Sequence, residues 1–355
     1  MKGGITPPSS SSTETIRSES SFSGICSTFA LSCLSIPCRL IYHPAVGSFR
    51  KITRHGRGEG ERRTIVRFFL NDSTGHLRSS LLKRGHAIGR YDSSRFADQE
   101  RRYLLREDIT GKSVALIASV LPAPESLFDL LALHRLLLEN GAAEITLIIP
   151  YLGYARQDHP GKKGEAGIGV MVAQLLRQTK AAKLIVCDLH SERIRKALGR
   201  SVLELSALPL FAEAVAKHPP EVIVAPDGGS ISRARRLAKL LAPLPDVAVI
   251  DKFRPRPNVA IARHLRGDVR GKSVLIIDDM IDTGGTLVEA VRLLIENGAT
   301  AIRIAATHGI FSAGACERLS ALPIDEILVT NTLPQPRRTK IRCLDIAPLF
   351  NPNPT

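Results

Sequence analysis

The sequence predicts an α/β protein made of two copies of one domain, each with a parallel sheet covered by helices. Short apolar runs alternate along the chain with stretches in which apolar residues recur every three to four positions. Two segments also recur about 160 residues downstream: Gly111-Lys-Ser-Val-Ala-Leu-Ile as Gly271-Lys-Ser-Val-Leu-Ile-Ile, and Leu136-Leu-Leu-Glu-Asn-Gly-Ala as Leu293-Leu-Ile-Glu-Asn-Gly-Ala. Two matches at a similar offset indicate an internal duplication.

Each predicted element follows from its residue types. The apolar runs predict strands at 64–70, 114–120, 145–150, 184–187, 222–225, 247–250, 274–277, 302–306 and 327–329. The spacing of three to four predicts helices at 126–140, 171–178, 232–241 and 287–297. Gly141 and Gly298 directly follow two of these helices, at the position where glycine commonly ends a helix.

The charge and the amino-acid composition limit the kinds of molecule that the protein is expected to bind. The chain has 355 residues and a formal net charge of +15, which suits anionic partners such as phosphorylated metabolites, nucleic acid or acidic lipid. Aromatic residues make up only 5% and tryptophan is absent, so no nucleic-acid partner is expected, because bases stack on aromatic side chains. No apolar run reaches the ~20 residues that cross a bilayer, so no membrane partner is expected either.

Residues 1–62 differ from the rest of the chain. They are rich in Ser, Pro and Arg and lack an alternation of strand and helix patterns. A Ser- and Arg-rich segment poor in acids is typical of organellar targeting peptides, whereas a disordered extension is the competing interpretation. We therefore expect a cytoplasmic protein, with organellar targeting by residues 1–62 as the open alternative.

The strongest chemical signal is Val274-Leu-Ile-Ile-Asp-Asp-Met-Ile-Asp-Thr-Gly-Gly-Thr286, an apolar strand followed by acids, a glycine turn and a helix. Ligands of open α/β sheets bind beyond the carboxyl ends of strands, and a helix N-terminus there offers free amides to a phosphate. The residues that would contact the phosphate are Asp282, Thr283, Gly284, Gly285 and Thr286. Asp278 and Asp279 can accept hydrogen bonds from sugar hydroxyls, and two acids at a buried strand end are costly without a ligand or cation.

This segment resembles the motif that binds phosphoribosyl diphosphate (PRPP) in phosphoribosyltransferases and PRPP synthases. The motif does not separate the enzymes that use PRPP from those that make it. At the equivalent place the first copy of the repeat reads Ser119-Val-Leu-Pro-Ala-Pro-Glu-Ser, without the acids and glycines. Only the second copy is therefore expected to hold ribose 5-phosphate.

Four further segments resemble the ribose-phosphate pyrophosphokinase (PRPP synthase) family, and the resemblance covers about 64–350. One of them, Pro150-Tyr-Leu-Gly-Tyr-Ala-Arg-Gln-Asp158, follows an apolar strand and is similar to the family's ATP-binding stretch. The resemblance implies that ATP is contacted by Arg156, Gln157 and Asp158.

A second segment, Arg95-Phe-Ala-Asp-Gln-Glu100, resembles the family element that holds adenine from a neighbouring subunit. Read alone it would be an exposed polar loop. The resemblance implies instead that Phe96, Asp98 and Glu100 bind ATP. It also implies a homo-oligomer based on dimers, with an adenine site shared between subunits.

The third resemblance is in a pair of strand ends, which carry the residues that the resemblance assigns to Mg²⁺, the implied cofactor. These are Val186-Cys-Asp-Leu-His190 and Val224-Ala-Pro-Asp-Gly-Gly229, so His190 and Asp227 are the implied metal ligands. Asp227 is also counted with the residues that bind ribose 5-phosphate. Magnesium keeps several waters and takes few protein ligands, so one histidine and one carboxylate suffice when phosphates complete the shell.

The fourth segment, Asp251-Lys-Phe-Arg-Pro-Arg-Pro-Asn258, resembles the family's flexible catalytic loop. Lys252 and Arg254 stand at the matching positions and, with His190, are the implied catalytic residues. Phosphoryl-type transfer depends on positioning and on cations directed at the charge that spreads over the phosphate oxygens. A lysine and an arginine closing over the β-phosphate would supply those cations.

The resemblance implies a fold of two phosphoribosyltransferase-like (Rossmann-like) domains. Their expected ranges are 63–208, completed by 338–355, and 209–337, which contains the PRPP-binding loop. The implied reaction is that of a ribose-phosphate diphosphokinase, which moves the diphosphate of Mg·ATP to the C1 hydroxyl of ribose 5-phosphate and releases AMP.

Two alternatives remain open from the sequence. A phosphoribosyltransferase would share the PRPP-binding loop, but it does not explain the duplication or the Arg156-Gln157-Asp158 segment. A non-catalytic regulatory homologue of the synthases would usually lose loop residues, whereas Lys252 and Arg254 are retained.

One segment departs from the family pattern. After Asp158 the chain reads His159-Pro-Gly-Lys-Lys-Gly-Glu-Ala-Gly-Ile-Gly169, where many family members have a basic pair and then a serine in a regulatory loop. We therefore expect weak or absent activation by inorganic phosphate.

Overall fold

The computed structural model describes residues 66–253 and 262–350, so the extension at 1–62 lies outside the described residues. The strands are β1 (Arg67–Leu70), β2 (Ala87–Ile88), β3 (Tyr91–Arg95), β4 (Arg101–Leu105), β5 (Ser113–Ile117), β6 (Glu144–Ile149), β7 (Lys183–Cys187), β8 (Val202–Leu205), β9 (Val222–Ala225), β10 (Asp246–Phe253), β11 (Ala262–Arg266), β12 (Ser273–Ile281), β13 (Ala301–Gly309), β14 (Glu326–Thr330) and β15 (Ile341–Leu344). The helices are α1 (Arg78–Lys83), α2 (Glu125–Glu139), α3 (Ile168–Gln178), α4 (Glu192–Leu198), α5 (Leu208–Val215), α6 (Ile231–Ala238), α7 (Gly285–Glu296) and α8 (Ala315–Ser320). No helix within 66–253 or 262–350 has both the length and the apolar character needed to cross a membrane.

The first sheet has the strand order β2-β1-β5-β6-β7-β8, and all of its pairs are parallel. The side chains on both faces of its central strands are buried. This burial agrees with their continuous apolar runs, which are typical of strands covered on both sides. Along β5, Leu116 packs with Leu130 of α2, whereas Ala115 and Ile117 point into a different core. This alternation places one core on each face of the sheet.

The second sheet has the order β11-β10-β9-β12-β13-β14-β15 and is parallel except for one pair. Leu275 and Ile277 of β12 share a core with Phe68 of β1 and Ile117 of β5, whereas Ile276 packs into a separate core against α7. The two sheets therefore pack through a common central core. The exception is β11, which runs antiparallel to β10 and was not predicted as a strand.

The duplication is visible in backbone hydrogen bonds. In the first copy the amide of Gly111 donates to the carbonyl of Gly141 at 2.8 Å, and in the second copy the amide of Gly271 donates to Gly298 at 2.8 Å. All four glycines have a positive φ, between 68° and 83°. Since only glycine adopts this region without strain, the repeated sequence fixes the same helix-end and turn geometry in both halves. The α/β fold with duplicated parallel sheets is confirmed.

Strands β3 and β4 form a separate antiparallel hairpin that belongs to neither large sheet. Its five-residue tip, 96–100, is closed by the Phe96 amide donating to the Glu100 carbonyl at 2.9 Å. Neither strand has a continuous apolar run or an alternation of apolar and polar residues, and most of the side chains are exposed, so no strand was predicted here.

The segment at 338–355, expected to complete the first domain, has contacts in both halves. Strand β15 is hydrogen-bonded to β14 in the second sheet. Beyond the strand, Asp345 pairs with Arg84 at 3.2 Å, and Phe350 lies in the common core with Phe68. The strand extends the second sheet, and the residues after it contact the first half. Completion of the first domain by 338–355 stays a prediction. The domain ranges 63–208 and 209–337 stay a prediction.

Candidate active site

The predicted phosphate loop follows β12 and leads into α7. Strand β12 continues to Ile281, past the predicted end at Ile277, because it stays paired with β13 through His308 and Gly309. Gly284 precedes α7 with φ 76°, a left-handed conformation that strains other residues. The helix begins at Gly285, so its first amide groups have no partner within the helix and face the turn. The loop therefore has the geometry of a phosphate-binding helix N-terminus.

Asp279 is buried and joins the two halves. Its Oδ2 lies 2.7 Å from Nδ1 of His190, which follows β7. Arg233 of α6 approaches its Oδ1 at 3.9 Å. Burial by itself would raise the pKa of Asp279, but the hydrogen bond from His190 and the nearby Arg233 charge lower it below the ordinary value. The same hydrogen bond raises the pKa of His190.

Asp278 lies in a different environment from its neighbour. Burial and the adjacent Asp279 charge raise the pKa of Asp278 to about 7. The Ser230 hydroxyl lies 2.9 Å from Asp278 Oδ1 and 3.1 Å from Asp227 Oδ1. The Ser230 hydroxyl therefore links the carboxyl groups of Asp227 and Asp278.

The predicted ATP-binding stretch contacts the phosphate loop directly. Arg156 Nη2 lies 2.7 Å from Asp282 Oδ2, and Ser312 donates a hydrogen bond to the other oxygen of Asp282. Burial by itself would raise the pKa of Asp282, but its contacts with Ser312 and Arg156 lower that pKa below the ordinary value. The Arg318 guanidinium donates to the carbonyl of Thr283. Elements predicted separately for ATP and for ribose 5-phosphate are thus adjacent.

Asp158 lies on the His190 side of the site. Partial burial would raise its pKa, but hydrogen bonds from Ser191 and His159 hold the pKa of Asp158 below its ordinary value. The carbonyl of Gln157 accepts a hydrogen bond from the Gly169 amide at 3.0 Å, which ties the stretch to the start of α3. Arg156 and Asp158 therefore face the carboxyl edge that also carries His190 and Asp279.

The remaining predicted residues are not brought into this cluster. Phe96, Asp98 and Glu100 lie at the exposed tip of the β3–β4 hairpin, where Phe96 is 51% exposed. That position suits the expectation that they serve a neighbouring subunit. The backbone of Lys252 belongs to β10, but its side chain is outside what the structure describes, and Arg254 lies outside the described residues.

The donor set of His190 and Asp227 fits Mg²⁺ as a sparse site. Nδ1 of His190 is held by Asp279, which leaves Nε2 for a ligand, an orientation that carboxylates commonly impose on metal-binding histidines. Within the part of the chain that the structure describes, Ser230 donates two hydrogen bonds to Oδ1 of Asp227, which leaves Oδ2. Within 66–253 and 262–350, no group of three or more His, Cys, Asp or Glu side chains could hold a metal. Phosphate oxygens and waters would therefore complete the shell.

Four residues that contact the acids and the turn of the phosphate loop were not predicted from the sequence: Ser230, Arg233, Ser312 and Arg318. Ser230 and Arg233 follow Asp227 on the turn and helix after β9. The acid at the end of that strand could have indicated that nearby residues also belong to the site. Ser312 and Arg318 come from the segment after β13. Only the three-dimensional packing of β13 beside β12 brings them to the loop.

Two family descriptions match the chain. Residues 69–179 match the N-terminal domain of ribose phosphate pyrophosphokinase, and residues 247–351 match the phosphoribosyl synthetase-associated domain. Together these ranges include the hairpin and the segments predicted to bind ATP, to form the catalytic loop and to bind the phosphate.

Curated proteins named ribose-phosphate pyrophosphokinase are similar over most of the chain. The one from Caldanaerobacter subterraneus subsp. tengcongensis is 37% identical over 294 residues, covering 80% of this chain and 92% of that protein. The one from Aquifex aeolicus is 38% identical over 261 residues, covering 72% of this chain and 83% of that protein. Among solved structures, a phosphoribosylpyrophosphate synthetase from Mycobacterium smegmatis is similar with a TM-score of 0.73 and 32% identity, covering 80% of this chain and 96% of that one.

Proposed function

The chain belongs to the ribose-phosphate pyrophosphokinase family, and from that premise we propose that it makes PRPP and AMP from ATP and ribose 5-phosphate. The observation that carries the proposal is the contact between the ATP-binding stretch and the phosphate loop, where Arg156 lies 2.7 Å from Asp282. It supports a site in which a nucleotide and a sugar phosphate are held side by side. Such positioning is the main contribution of a protein to phosphoryl-type transfer.

Ribose 5-phosphate is assigned to the second sheet. The amides that begin α7 and the hydroxyls of Thr283 and Thr286 bind the 5-phosphate. Asp278 and Asp279 accept hydrogen bonds from the 2- and 3-hydroxyls of the ribose. The cost of burying adjacent acids supports this role, since carboxylates are retained at such a position when they have charged or hydroxyl partners, which a sugar would supply.

ATP is assigned to the edge of the first sheet. Arg156, Gln157 and Asp158 contact the nucleotide, and His190 and Asp227 hold Mg²⁺ on its phosphates. The bound metal would supply charge neutralisation of the phosphate oxygens during transfer. The C1 hydroxyl of the sugar attacks the β-phosphorus, the bond to the α-phosphate oxygen breaks, and AMP leaves.

The catalytic loop at 251–258 supplies the remaining cations. Lys252 and Arg254 neutralise the charge that develops on the transferred diphosphate. Strand β10 pairs with β9, which leads to Asp227, and the backbone of Lys252 lies near the end of β10; this arrangement supports the assignment.

The hairpin residues Phe96, Asp98 and Glu100 bind adenine for a neighbouring subunit, so the active form is a dimer-based homo-oligomer. The exposure of Phe96 in the single chain supports a role outside its own subunit. We assign the enzyme to the cytoplasm, with residues 1–62 as the segment that decides any organellar destination.

The direct test is AMP release by the purified chain. AMP is expected to appear only when ATP, ribose 5-phosphate and magnesium are all present. A phosphoribosyltransferase would instead consume PRPP with a nucleobase and release diphosphate, and a non-catalytic homologue would release nothing.

A further inference from the structure

The β3–β4 hairpin keeps its orientation through side-chain contacts at its base, where Tyr91, Tyr103 and Leu105 pack against the core of the first half. Its strands pair with neither large sheet, and most of its side chains are exposed. A two-stranded hairpin is only marginally stable by itself, so its placement depends on side-chain contacts at its base. The residues at its tip therefore depend on that base for their position.

The base is attached to helix α2 through one buried carboxylate, Asp129. Its side chain is only 8% exposed, and one oxygen accepts a hydrogen bond from the Tyr103 hydroxyl. The other oxygen lies 3.2 Å from the Arg101 guanidinium. Arg101 and Tyr103 are both on β4 and point to the same face, two residues apart.

Two weaker contacts extend this attachment. The same Arg101 nitrogen lies 3.4 Å from Asp72, which follows β1. On the other strand, the Tyr91 hydroxyl donates to the carbonyl of Leu70 at 2.9 Å. Each strand of the hairpin is thus joined to the body of the first half, and Asp129 is the buried member of the set.

A buried carboxylate with a charged and a hydroxyl partner is a strong geometric constraint. Removing one partner leaves the others buried without compensation, which costs more than the loss of an exposed ion pair. The hairpin also contains such an exposed pair, Asp92 with Arg106, in which both side chains are 53% exposed. The buried pair of Asp129 with Arg101 can therefore be compared with the exposed pair of Asp92 with Arg106, since each pair involves the hairpin or the residue next to it.

We propose that Asp129 is a positioning residue for ATP, which acts by fixing the hairpin that carries Phe96, Asp98 and Glu100. The inference rests on the proposed function, since it requires the hairpin tip to bind adenine. Asp129 itself touches no substrate. Its effect reaches ATP through β4, whereas the ribose 5-phosphate loop lies on the second sheet.

The predicted kinetic signature is selective. Asp129→Asn keeps the shape of the side chain and an acceptor for Tyr103, but it sets an amide against Arg101. The KM for ATP is expected to rise about tenfold, with kcat and the KM for ribose 5-phosphate within about twofold of wild type. A merely structural defect would lower the amount of active enzyme and leave the KM for ATP unchanged.

The experiment compares wild type, Asp129→Asn, Tyr103→Phe and the control Asp92→Asn in the full-length chain. Steady-state AMP release gives the kinetic constants, and hydrogen exchange of the amides of 91–105 gives the local opening of the hairpin. We expect faster exchange and a raised KM for ATP in Asp129→Asn, a smaller change in Tyr103→Phe, and neither in Asp92→Asn. If Asp129→Asn does not fold, Tyr103→Phe decides.

Equal KM values for ATP in Tyr103→Phe, Asp129→Asn and Asp92→Asn would overturn the inference while leaving the proposed function intact. An inactive wild-type chain, by contrast, would remove the proposed function on which the inference rests. An increase of the KM for ribose 5-phosphate equal to that for ATP would also overturn it, because the hairpin would then not act on ATP alone.

Discussion

Nδ1 of His190 lies 2.7 Å from Oδ2 of Asp279, so the end of β7 in the first sheet contacts β12 in the second. The two residues are 89 positions apart in the chain. In our account one is a ligand of the nucleotide-bound metal and the other holds the sugar. This hydrogen bond therefore connects the two substrate sites, and side chains on either side of it should have separable effects.

Asp278→Asn should stabilise the protein at alkaline pH while removing ribose 5-phosphate binding. The pKa of Asp278 is raised to about 7 by burial and by Asp279, so the folded chain holds a proton that the unfolded chain releases above about pH 4. The free energy of unfolding therefore falls as pH rises between these values. Asparagine removes this penalty, and we expect a gain of about 1–3 kcal/mol at pH 8, against an upper bound of ~4 kcal/mol.

Thermal unfolding at pH 5 and pH 8 measures the effect. The gain should be near its full size at pH 8 and about a third of that at pH 5, because at pH 5 the unfolded chain has already released the proton that the folded chain keeps. An equal change at both values of pH would contradict the assignment of the raised pKa to Asp278.

Lys252→Ala should lower turnover by about 100- to 1,000-fold, because one directed cation on the transferred diphosphate is lost. Ribose 5-phosphate binding should remain, since the phosphate loop is untouched. Kinetics and calorimetric titration of ribose 5-phosphate measure the two effects. Lys239→Ala, at an exposed lysine after α6, is the control. Near-normal turnover of Lys252→Ala would refute the role of this lysine.

Gly284→Ala should destabilise the phosphate loop, whereas Gly285→Ala should be tolerated by the fold. Gly284 has φ 76°, and an added Cβ would lie 3.3 Å from Leu319 Cδ1. At Gly285 the nearest atom to a Cβ is Thr283 Oγ1 at 4.0 Å, and the residue is already helical. We expect Gly284→Ala to cost about 1–2 kcal/mol. Equal melting temperatures for the two variants would show that the left-handed turn is not required.

Activity should depend little on inorganic phosphate. His159 and Pro160 stand directly after Asp158, where the family resemblance implies a basic pair, and no serine stands at 167 or 169. In this segment Glu165 accepts a hydrogen bond from the Gly161 amide at 2.8 Å. Initial rates with and without added phosphate, at fixed ionic strength, measure this. Strong activation by phosphate would overturn the expectation.

The apolar strands could be predicted because each buries both faces and reads as a continuous run. The nine predicted runs correspond to β1, β5, β6, β7, β9, β10, β12, β13 and β14. The two-residue strand β2 and the edge strand β8 were missed, since short or half-exposed strands carry little pattern. The hairpin was missed for the same reason.

The sequence indicated which residues form the site better than it indicated which of them contact each other. Asp278, Asp279 and the glycine turn were visible because they follow a buried strand. The pairing of His190 with Asp279, and the bridge of Ser230 between Asp227 and Asp278, depend on how distant strands are ordered in the sheets. No local pattern contains that information, so only the structure assigned these partners.

The most direct measurement follows the β-phosphate of ATP. With ATP labelled at the β-phosphorus, ribose 5-phosphate and magnesium, the account predicts that the purified chain transfers the label to the sugar as PRPP, with unlabelled AMP as the other product. Label remaining in a nucleotide diphosphate, or no transfer by a chain that is folded and assembled, would contradict it.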